Sequence, residues 1–371
     1  MEWAERDVET GSQGALTVVL LIGSLGMGGA ERQVIELGER LRSRGHRVAV
    51  LSLAGAKPQE WQTSLDVVRL GMTRSPIAAL ATLARAYRFL DGFRPDVVHS
   101  HTKHANLAAR FLRLTGAARR VVSTLHSVRD GGQGRLLLYR WTDALVAHTT
   151  AVSEAVAERY VQARAVPREK CSVVTNAIDT GLFCPDATRR AETRTQFGAG
   201  KTFVWLAAGR VTEAKDYPNL LEAFRRVREA EVNVELWVAG EGGERMAAQP
   251  SVRWLGLQRD MAALFDAADG FVLSSAWEGL PLAVGEAMAM EKPVVATRAG
   301  GVAELVGECG VLVETRNAEA LAAAMSGVMR ADDKTRGELG QSARKRVEKL
   351  FSWDAKVVEW ERLYERVIEH R

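Results

Sequence analysis

Short apolar runs alternate with amphipathic stretches along the first part of the chain, and this alternation constrains the fold more than any other feature. Residues 16–22 and 47–53 are rich in valine and leucine, and an amphipathic pattern of helical period lies between them. Strands that are apolar throughout are covered on both faces, and strands joined through helices lie parallel in one sheet. The sequence therefore predicts a Rossmann-like parallel sheet, with helices at 30–44 and 77–90 and further strands at 96–100 and 120–124.

The same alternation begins again after a polar, arginine-rich stretch at residues 185–201. Because 371 residues suffice for two domains, we interpret the second run as a second Rossmann-like domain. Two such units that face each other leave a cleft at the carboxyl ends of their strands, where ligands of parallel sheets bind. The second domain has predicted strands at 203–208, 234–239, 252–255, 271–274 and 293–296, and predicted helices at 218–230, 260–267 and 282–290.

The domain limits follow from this pattern. Residues 1–14 are expected to be a disordered tail, residues 15–185 the first domain and residues 186–351 the second. A final long helix is predicted over residues 351–368. It carries apolar side chains at three- and four-residue spacing, typical of a helix face packed on a core, at Trp353, Val357, Trp360 and Tyr364.

The composition indicates a soluble globular protein. Hydrophobic residues are 47% and charged residues 26% of the chain, close to the average for soluble domains. The early apolar run at 15–22 is much shorter than the roughly 20 residues that span a bilayer, and acidic residues precede it. We therefore expect no signal peptide. The chain has three scattered cysteines, Cys171, Cys184 and Cys309. Their odd number and wide spacing argue against a structural zinc site and for a reducing compartment, so a cytoplasmic location is expected.

Positive charge is concentrated in residues 74–140, which hold twelve Lys/Arg and three acidic residues. Such a segment orients a protein toward an anionic partner. No zinc-finger spacing and no aromatic run typical of RNA-binding domains accompany the arginines, so we do not expect nucleic acid as the partner. An anionic membrane surface, reached from the cytoplasm at the inner face of the membrane, or a phosphorylated acceptor fits the pattern better. A solvated arginine-rich face remains an alternative.

A glycine-rich loop follows the first predicted strand and leads directly into a helix. It runs from Gly23 to Ala30, and its last glycines, Gly28 and Gly29, stand just before the helix. Glycines let the backbone approach a ligand closely, and free N–H groups at a helix N-terminus attract phosphate. The spacing matches neither the dinucleotide-binding nor the P-loop pattern, so by itself the loop also fits a simple turn.

Two cations flank the end of the first strand of the second domain. Arg210 follows the strand directly, and Lys215 comes five residues later, just before a predicted helix. The planar guanidinium and the compact ammonium together can neutralise a diphosphate whose charge grows as it leaves an anomeric carbon. The sequence therefore predicts leaving-group stabilisation without a metal.

Two glutamates, Glu278 and Glu286, lie eight residues apart around the start of a predicted helix. Glu278 precedes the helix and Glu286 lies more than one turn inside it, so they are too far apart for a close acid/base dyad. Each can hold a different part of an extended ligand, one a sugar and the other a ribose. Backbone N–H groups between them can receive phosphate or sugar oxygens, at Gly279, Leu280, Leu282 and Ala283.

These motifs resemble those of retaining GT-B glycosyltransferases of family four, the class with an E-x7-E signature, over about residues 16–368. Residues 28–32 are similar to the family's GGAER loop, Arg210 with Lys215 to its phosphate pair, and Glu278 with Glu286 to its paired glutamates. The resemblance implies that Glu286 binds the ribose, Glu278 the transferred sugar, and the two cations the diphosphate. It also implies that backbone groups at Leu257 hold the base and that the last helix, 352–371, crosses back to the first domain.

Histidines follow two strands of the first domain. By resemblance, His126 is expected near the reacting end of the sugar, although a buried, hydrogen-bonded histidine is the alternative. His101 and His104 are expected to line the acceptor side, because a His-x2-His pair without further ligands does not indicate a metal. The segment Asn176-Ala177 departs from the family's Asn-Gly at an interdomain turn, and alanine tolerates positive φ badly, so a different turn geometry is expected.

The function expected from the sequence is retaining transfer of a hexose from a UDP-linked nucleotide sugar to an acceptor hydroxyl. The acceptor is expected to be a lipid-linked glycan of bacterial surface polysaccharide assembly. The nucleotide sugar is a substrate, so no cofactor and no metal are expected. Two alternatives remain: a nucleotide-sugar epimerase with the same paired domains, and a non-catalytic protein that binds sugar nucleotides.

Overall fold

The computed structural model describes residues 14–73, 75–129 and 132–369. The first part of the chain forms a seven-stranded sheet in the order β3-β2-β1-β4-β5-β6-β7, and all its paired strands are parallel. Its strands are β1 (Thr17–Ile22), β2 (Arg47–Ser52), β3 (Asp66–Arg69), β4 (Val97–His101), β5 (Val121–Leu125), β6 (His148–Ala151) and β7 (Cys171–Val173).

Helices cover both faces of this sheet, which explains why both faces of β1 are apolar. Val18, Leu20 and Ile22 of β1 pack on one face, while Val19 and Leu21 pack on the other. Successive side chains of a strand point to opposite faces, so both sets are buried. The helices of this part are α1 (Gly29–Ser43), α2 (Pro76–Phe93), α3 (Lys103–Leu114), α4 (Gln133–Trp141) and α5 (Glu154–Gln162).

The second part forms a six-stranded parallel sheet in the order β10-β9-β8-β11-β12-β13. The two Rossmann-like units predicted from the sequence are thereby confirmed. Its strands are β8 (Phe203–Ala208), β9 (Val234–Ala239), β10 (Val252–Gly256), β11 (Gly270–Leu273), β12 (Val294–Thr297) and β13 (Val311–Val313). Its helices are α6 (Ala187–Phe197), α7 (Tyr217–Ala230), α8 (Met261–Ala267), α9 (Leu282–Ala289), α10 (Val302–Val306), α11 (Ala318–Arg330) and α12 (Asp333–Leu350).

The last helix, α13 (Trp353–Glu369), returns to the first sheet as expected. Its buried face, which includes Trp353, Val357 and Trp360, packs in the same cluster as Val18 and Leu20 of β1. The chain therefore passes twice between the domains. The two passages run side by side, because the N–H of Ile178 donates to the carbonyl of Phe351 at 2.7 Å.

The turn at Asn176 and Ala177 does not use the left-handed backbone for which Asn-Gly is suited. Neither residue has a positive φ, so alanine fits without strain. The Gln33 side chain fixes Ala177 instead: its amide donates to the Ala177 carbonyl at 2.8 Å and its oxygen accepts the Ala177 N–H at 2.7 Å. Ala177 therefore needs no left-handed backbone at this turn, and Gln33 of α1 stabilises it.

Some expectations need correction or lie outside the described residues. The polar stretch at 185–201 contains a helix, α6, which packs on α8 of the second domain. Arginines of α6 bind carbonyl groups at the end of α8; for example, Arg194 donates to the Ala267 carbonyl at 2.7 Å. Residues 1–13 of the predicted tail, Arg74 and Asp130 are not among the described residues. The exact domain limits at 185/186 and 351/352 remain predictions.

Candidate functional site

The sequence-predicted loops meet where the strand order of each sheet reverses. In the first sheet this point lies between β1 and β4, and the glycine-rich loop follows β1. In the second sheet it lies between β8 and β11, which Arg210 and the Glu278 loop follow. Crossovers leave the sheet in opposite directions at such a point and open a crevice for ligands. The two crevices face each other across the domains.

A pocket of about 470 Å³ lies between the glycine loop and the end of β8. Gly28 at the start of α1 lines it from the first domain, and Arg210 and Glu241 line it from the second. Gly28 caps α1 with extended backbone and without a side-chain hydrogen bond, so the N–H groups of Gly29 and Ala30 in the first turn are available to a ligand. The pocket therefore combines a helix N-terminus with a guanidinium, as an anion site requires.

Glu31 also lines this pocket, in the first turn of α1. A Cβ atom placed on Gly28 would lie 2.3 Å from Glu31 Oε2, so the carboxylate lies against the N-terminal turn. Burial raises the pKa of Glu31, whereas its own backbone N–H and the nearby Arg210 lower it. The positive end of the helix and Arg210 thus already attract a negative group at this position.

Lys215 and Glu278 form a direct ion pair beside the same strand end. Lys215 Nζ lies 2.7 Å from Glu278 Oε1, and the Ser275 hydroxyl donates to that oxygen at 2.7 Å. Gly209, with φ of +141°, permits this approach, since a Cβ there would lie 2.7 Å from Lys215 Cε. The structure therefore joins the predicted phosphate cation to the predicted sugar carboxylate.

Glu286 is paired across the domain boundary, a contact that the sequence analysis missed. Arg32 Nη1 of α1 lies 2.7 Å from Glu286 Oε1 of α9, and Arg32 Nε lies 2.7 Å from Glu36 Oε1. The arginine is also held between two aromatic rings, at 5.3 Å from Trp61 and 5.1 Å from Phe183. The only available signal was the place of Arg32 in the GGAER loop, and it gave no partner.

Burial raises the pKa of Glu286 to about 7, while the Arg32 guanidinium lowers it. A carboxylate must be ionised to accept hydrogen bonds from both hydroxyls of a ribose without offering a donor of its own. Arg32 thus favours the state of Glu286 that a ribose needs.

The loop between Glu278 and α9 contacts the first domain directly. A Cβ on Gly279 would lie 2.0 Å from the carbonyl oxygen of His126, so only glycine fits there. Leu282 lies against Gly29 of the glycine loop, and the Asn176 amide donates to the Leu280 carbonyl at 2.8 Å. Helix α9 begins at Leu282, so the N–H groups of Leu282 and Ala283 have no helical acceptor.

Replacing Gly279 by alanine is expected to lower the free energy of unfolding by about 1–3 kcal/mol, because the added methyl group collides with the backbone at His126. Urea unfolding of the purified variant measures this loss. Gly327, in α11, has open space around its Cα, so Gly327→Ala is the matched control and is expected to stabilise by about 0.5–1 kcal/mol. Equal effects of the two substitutions would contradict the close packing at Gly279.

Three histidines of the first domain have their rings packed together: His99, His101 and His126. His101 Nδ1 lies 3.1 Å from His126 Nε2, and the ring of His99 lies 3.9 Å from that of His101. His99 contacts the hydroxyl of Tyr364 in α13 at 2.7 Å. Burial lowers the pKa of His126 to about 4 and that of His99 and His101 well below the ordinary value. All three rings are therefore neutral at pH 7.

Only one of these three rings is accessible at the surface of the first domain. His126 is half-buried beside Gly279, which agrees with a position at the interdomain cleft. His101 is 2% exposed, so the expected direct contact with an acceptor does not fit its burial beneath His126. His104 is exposed on α3, where its acceptor role remains a prediction.

Leu257 lies half-buried just beyond β10, at the same edge of the second sheet as Arg210. The N–H of Gly240 donates to the Gly256 carbonyl at 2.8 Å, and a Cβ on Gly240 would lie 2.1 Å from the Gly209 carbonyl oxygen. Glycines thus bring the ends of β8, β9 and β10 together. The role of Leu257 in holding a base remains a prediction.

Within residues 14–73, 75–129 and 132–369, no three histidine, cysteine, aspartate or glutamate side chains group in a way that could hold a metal ion. No helix in the described part of the chain is long and apolar enough to cross a bilayer. The expectation of a metal-independent reaction remains a prediction.

The amino-acid sequence is similar to those of known glycosyltransferases. The Rhizobium meliloti lipopolysaccharide core biosynthesis glycosyltransferase LpsE is 30% identical over 60% of this chain and 64% of its own length. The MMP alpha-(1->4)-mannosyltransferase of Mycolicibacterium hassiacum is 28% identical over 84% of this chain and 81% of its own. The chain thus spans less than two thirds of LpsE.

A solved structure supports the fold. The crystal structure of Anabaena Alr3699/HepE in complex with UDP and glucose superposes with a TM-score of 0.82 at 21% identity, and covers 94% of this chain and 99% of its own. Two family models match the sequence: Glycosyltransferase Family 4 over residues 27–182, and Glycosyl transferases group 1 over residues 202–331. Together they span most of the chain, and it belongs to the family 4 glycosyltransferases of the GT-B type.

Proposed function

We propose that this protein transfers a hexose from a UDP-linked nucleotide sugar to an acceptor hydroxyl, with retention at the anomeric carbon. The observation that carries the proposal is the interdomain pocket, in which the N-terminus of α1 faces Arg210 and Glu241. A diphosphate bound there contacts the N–H groups of Gly29 and Ala30 in the first turn of α1 and the Arg210 guanidinium. The UDP and glucose in the Anabaena HepE complex support the choice of donor.

The remaining site residues take the other parts of the donor. Glu286 accepts hydrogen bonds from the ribose, and Glu278 contacts hydroxyls of the sugar. The ion pair of Lys215 with Glu278 at 2.7 Å places the leaving phosphate and the sugar next to each other. Backbone N–H groups at Gly279, Leu280, Leu282 and Ala283 bind phosphate or sugar oxygens, and backbone groups at Leu257 bind the base.

The chemical step breaks the bond between the anomeric carbon and the phosphate oxygen. The departing phosphate gains negative charge, which Arg210 and Lys215 stabilise in place of a metal ion. In this proposal the acceptor oxygen attacks from the same face, and its proton passes to the leaving phosphate oxygen. His126, held neutral by burial, offers a hydrogen bond near the reacting carbon.

The acceptor in this proposal is a lipid-linked glycan of bacterial surface polysaccharide assembly, encountered at the cytoplasmic side of the membrane. The name of the relative LpsE, a lipopolysaccharide core biosynthesis glycosyltransferase, supports this class of acceptor. The excess of positive charge in residues 74–140 also favours an anionic acceptor.

A panel of UDP-, GDP- and ADP-linked sugars, each incubated with and without a glycan acceptor, tests the proposal. We expect turnover with a UDP-sugar only when acceptor is present, unchanged by EDTA, and a product whose NMR anomeric coupling matches that of the donor. Inversion at this carbon would contradict retention. Conversion of the donor alone would indicate an epimerase, and binding without turnover of any donor would indicate a non-catalytic protein.

A further inference from the structure

Large apolar side chains are exposed on one part of the surface. Of the eleven such side chains exposed in the described chain, eight lie on α2, α3 and α4. Within each helix most of them are spaced three, four or seven residues apart, so each helix presents an apolar outer ridge. The eight are Ile77, Leu80, Tyr87, Phe111, Leu114, Leu137, Leu138 and Trp141.

The three helices form one layer on the face of the first sheet opposite α1 and α13. Helices α2 and α3 bury Leu90 and Leu112 in one cluster with Val19 of β1, on the side away from α13. Helix α4 lies beside α3: the guanidinium of Arg110 in α3 lies 4.3 Å from the ring of Tyr139 in α4. The apolar ridges of α3 and α4 are therefore neighbours on the surface.

Positive charge surrounds these ridges. The three helices carry one acidic residue, Asp91, and seven Lys/Arg, of which all but the buried Arg110 reach the surface. A pocket of about 450 Å³ adjoins Trp141, which is 73% exposed, and four cations line it: Arg140, Arg164, Arg168 and Lys170. Asp143 offsets part of this charge, since its carboxylate lies 3.1 Å from Lys170 Nζ.

We propose that the outer face of α2, α3 and α4 docks the protein on an anionic lipid bilayer. Leucine and tryptophan side chains enter the boundary between headgroups and acyl chains, while the flanking arginines contact lipid phosphates. A nucleic acid partner would leave the apolar ridges without an apolar environment, so the charge pattern and the apolar pattern together favour a bilayer. The docking surface does not depend on the proposed donor chemistry; it would bring the cleft to membrane-held acceptors.

Co-sedimentation with vesicles tests the surface without donor or acceptor. At 100 mM salt we expect at least tenfold tighter partitioning to phosphatidylcholine vesicles with 30% phosphatidylglycerol than to phosphatidylcholine alone. The triple substitution Leu137→Ser, Leu138→Ser and Trp141→Ser is expected to weaken partitioning at least tenfold at an unchanged melting temperature. Val232 is 92% exposed in the second domain, and Val232→Ser, the matched control, is expected to leave binding unchanged.

A second pair of variants tests the charges separately. Arg140→Glu with Arg168→Glu is expected to remove the preference for phosphatidylglycerol. Lys334→Glu, at an exposed position on α12 outside this surface, is expected to keep it. Equal binding to both vesicle types, or full binding by the triple variant, would overturn the proposal. The proposal would also be overturned if the native protein were a dimer and the triple substitution made it monomeric without changing its binding to vesicles. Turnover with a soluble acceptor is assayed separately, so failure of the donor chemistry leaves this result unaffected.

Discussion

The substitution Arg210→Ala is expected to lower kcat by about 100- to 1000-fold, or roughly 2.7–4 kcal/mol of transition-state stabilisation. The guanidinium lines the interdomain pocket opposite the N-terminus of α1, where the proposed diphosphate leaves. Its charge matters most as the phosphate gains negative charge, so kcat should fall more than the affinity for the donor. Steady-state kinetics with a UDP-sugar measure both quantities.

Arg226 provides the matched control for this experiment. It lies exposed on α7 of the same domain and pairs with Glu222 at 2.9 Å, away from the pocket. Arg226→Ala should leave kcat and KM within twofold of the native values. Near-normal turnover of Arg210→Ala would contradict the phosphate role, and so would a loss confined to KM.

The substitution Arg32→Leu is expected to raise the KM for the donor by about 10- to 150-fold at pH 7, equal to the roughly 1.5–3 kcal/mol of a hydrogen bond to a charged group. Burial already raises the pKa of Glu286 to about 7, and Arg32 opposes this rise. Without Arg32 the pKa rises further, so Glu286 is protonated at neutral pH and binds the ribose less well. As the pH increases through the new pKa, the carboxyl ionises and donor affinity should recover.

A donor with a 2′-deoxyribose separates this effect from a general loss of structure. If Arg32 acts through Glu286 and the ribose, Arg32→Leu should weaken the deoxy donor much less than the ribose donor. Arg40 is the matched control: it lies on the same helix and pairs with Asp179 at 3.0 Å, outside the pocket. An effect of Arg32→Leu that does not change with pH and is equal for both donors would contradict this role.

Much of the fold could be predicted because the parallel strands are apolar on both faces. The bounds of β8 and β9 agree with the predicted runs, since β8 is apolar throughout and Glu235 alone interrupts the apolar segment of β9. Helix α3 was missed because two of its buried positions are polar: Asn106 donates to the Thr124 carbonyl, and Arg110 lies over Tyr139. These two polar residues interrupt the apolar pattern of helical period by which a buried helix is predicted. Strand β3, only four residues long, carries no continuous apolar run.

The site residues that follow a strand could be predicted from the sequence, whereas the contacts between the two domains could not. Arg210, Lys215 and the Glu278 loop all follow strand ends at the reversal of strand order, which the sequence pattern predicts. The pairing of Arg32 with Glu286 joins residues 254 positions apart. It depends on how α1 packs against α9, and no local pattern in the sequence specifies that packing. The same holds for the contact of Gly279 with His126.

A crystal structure with bound UDP tests the central claim most directly. We expect density in the interdomain pocket of about 470 Å³, with the β-phosphate between Gly28 and the Arg210 guanidinium. The ribose hydroxyls should lie within hydrogen-bond distance of Glu286. A nucleotide ordered only elsewhere, for example in the surface pocket of about 400 Å³ beside Asp216 and Arg316, would contradict the account.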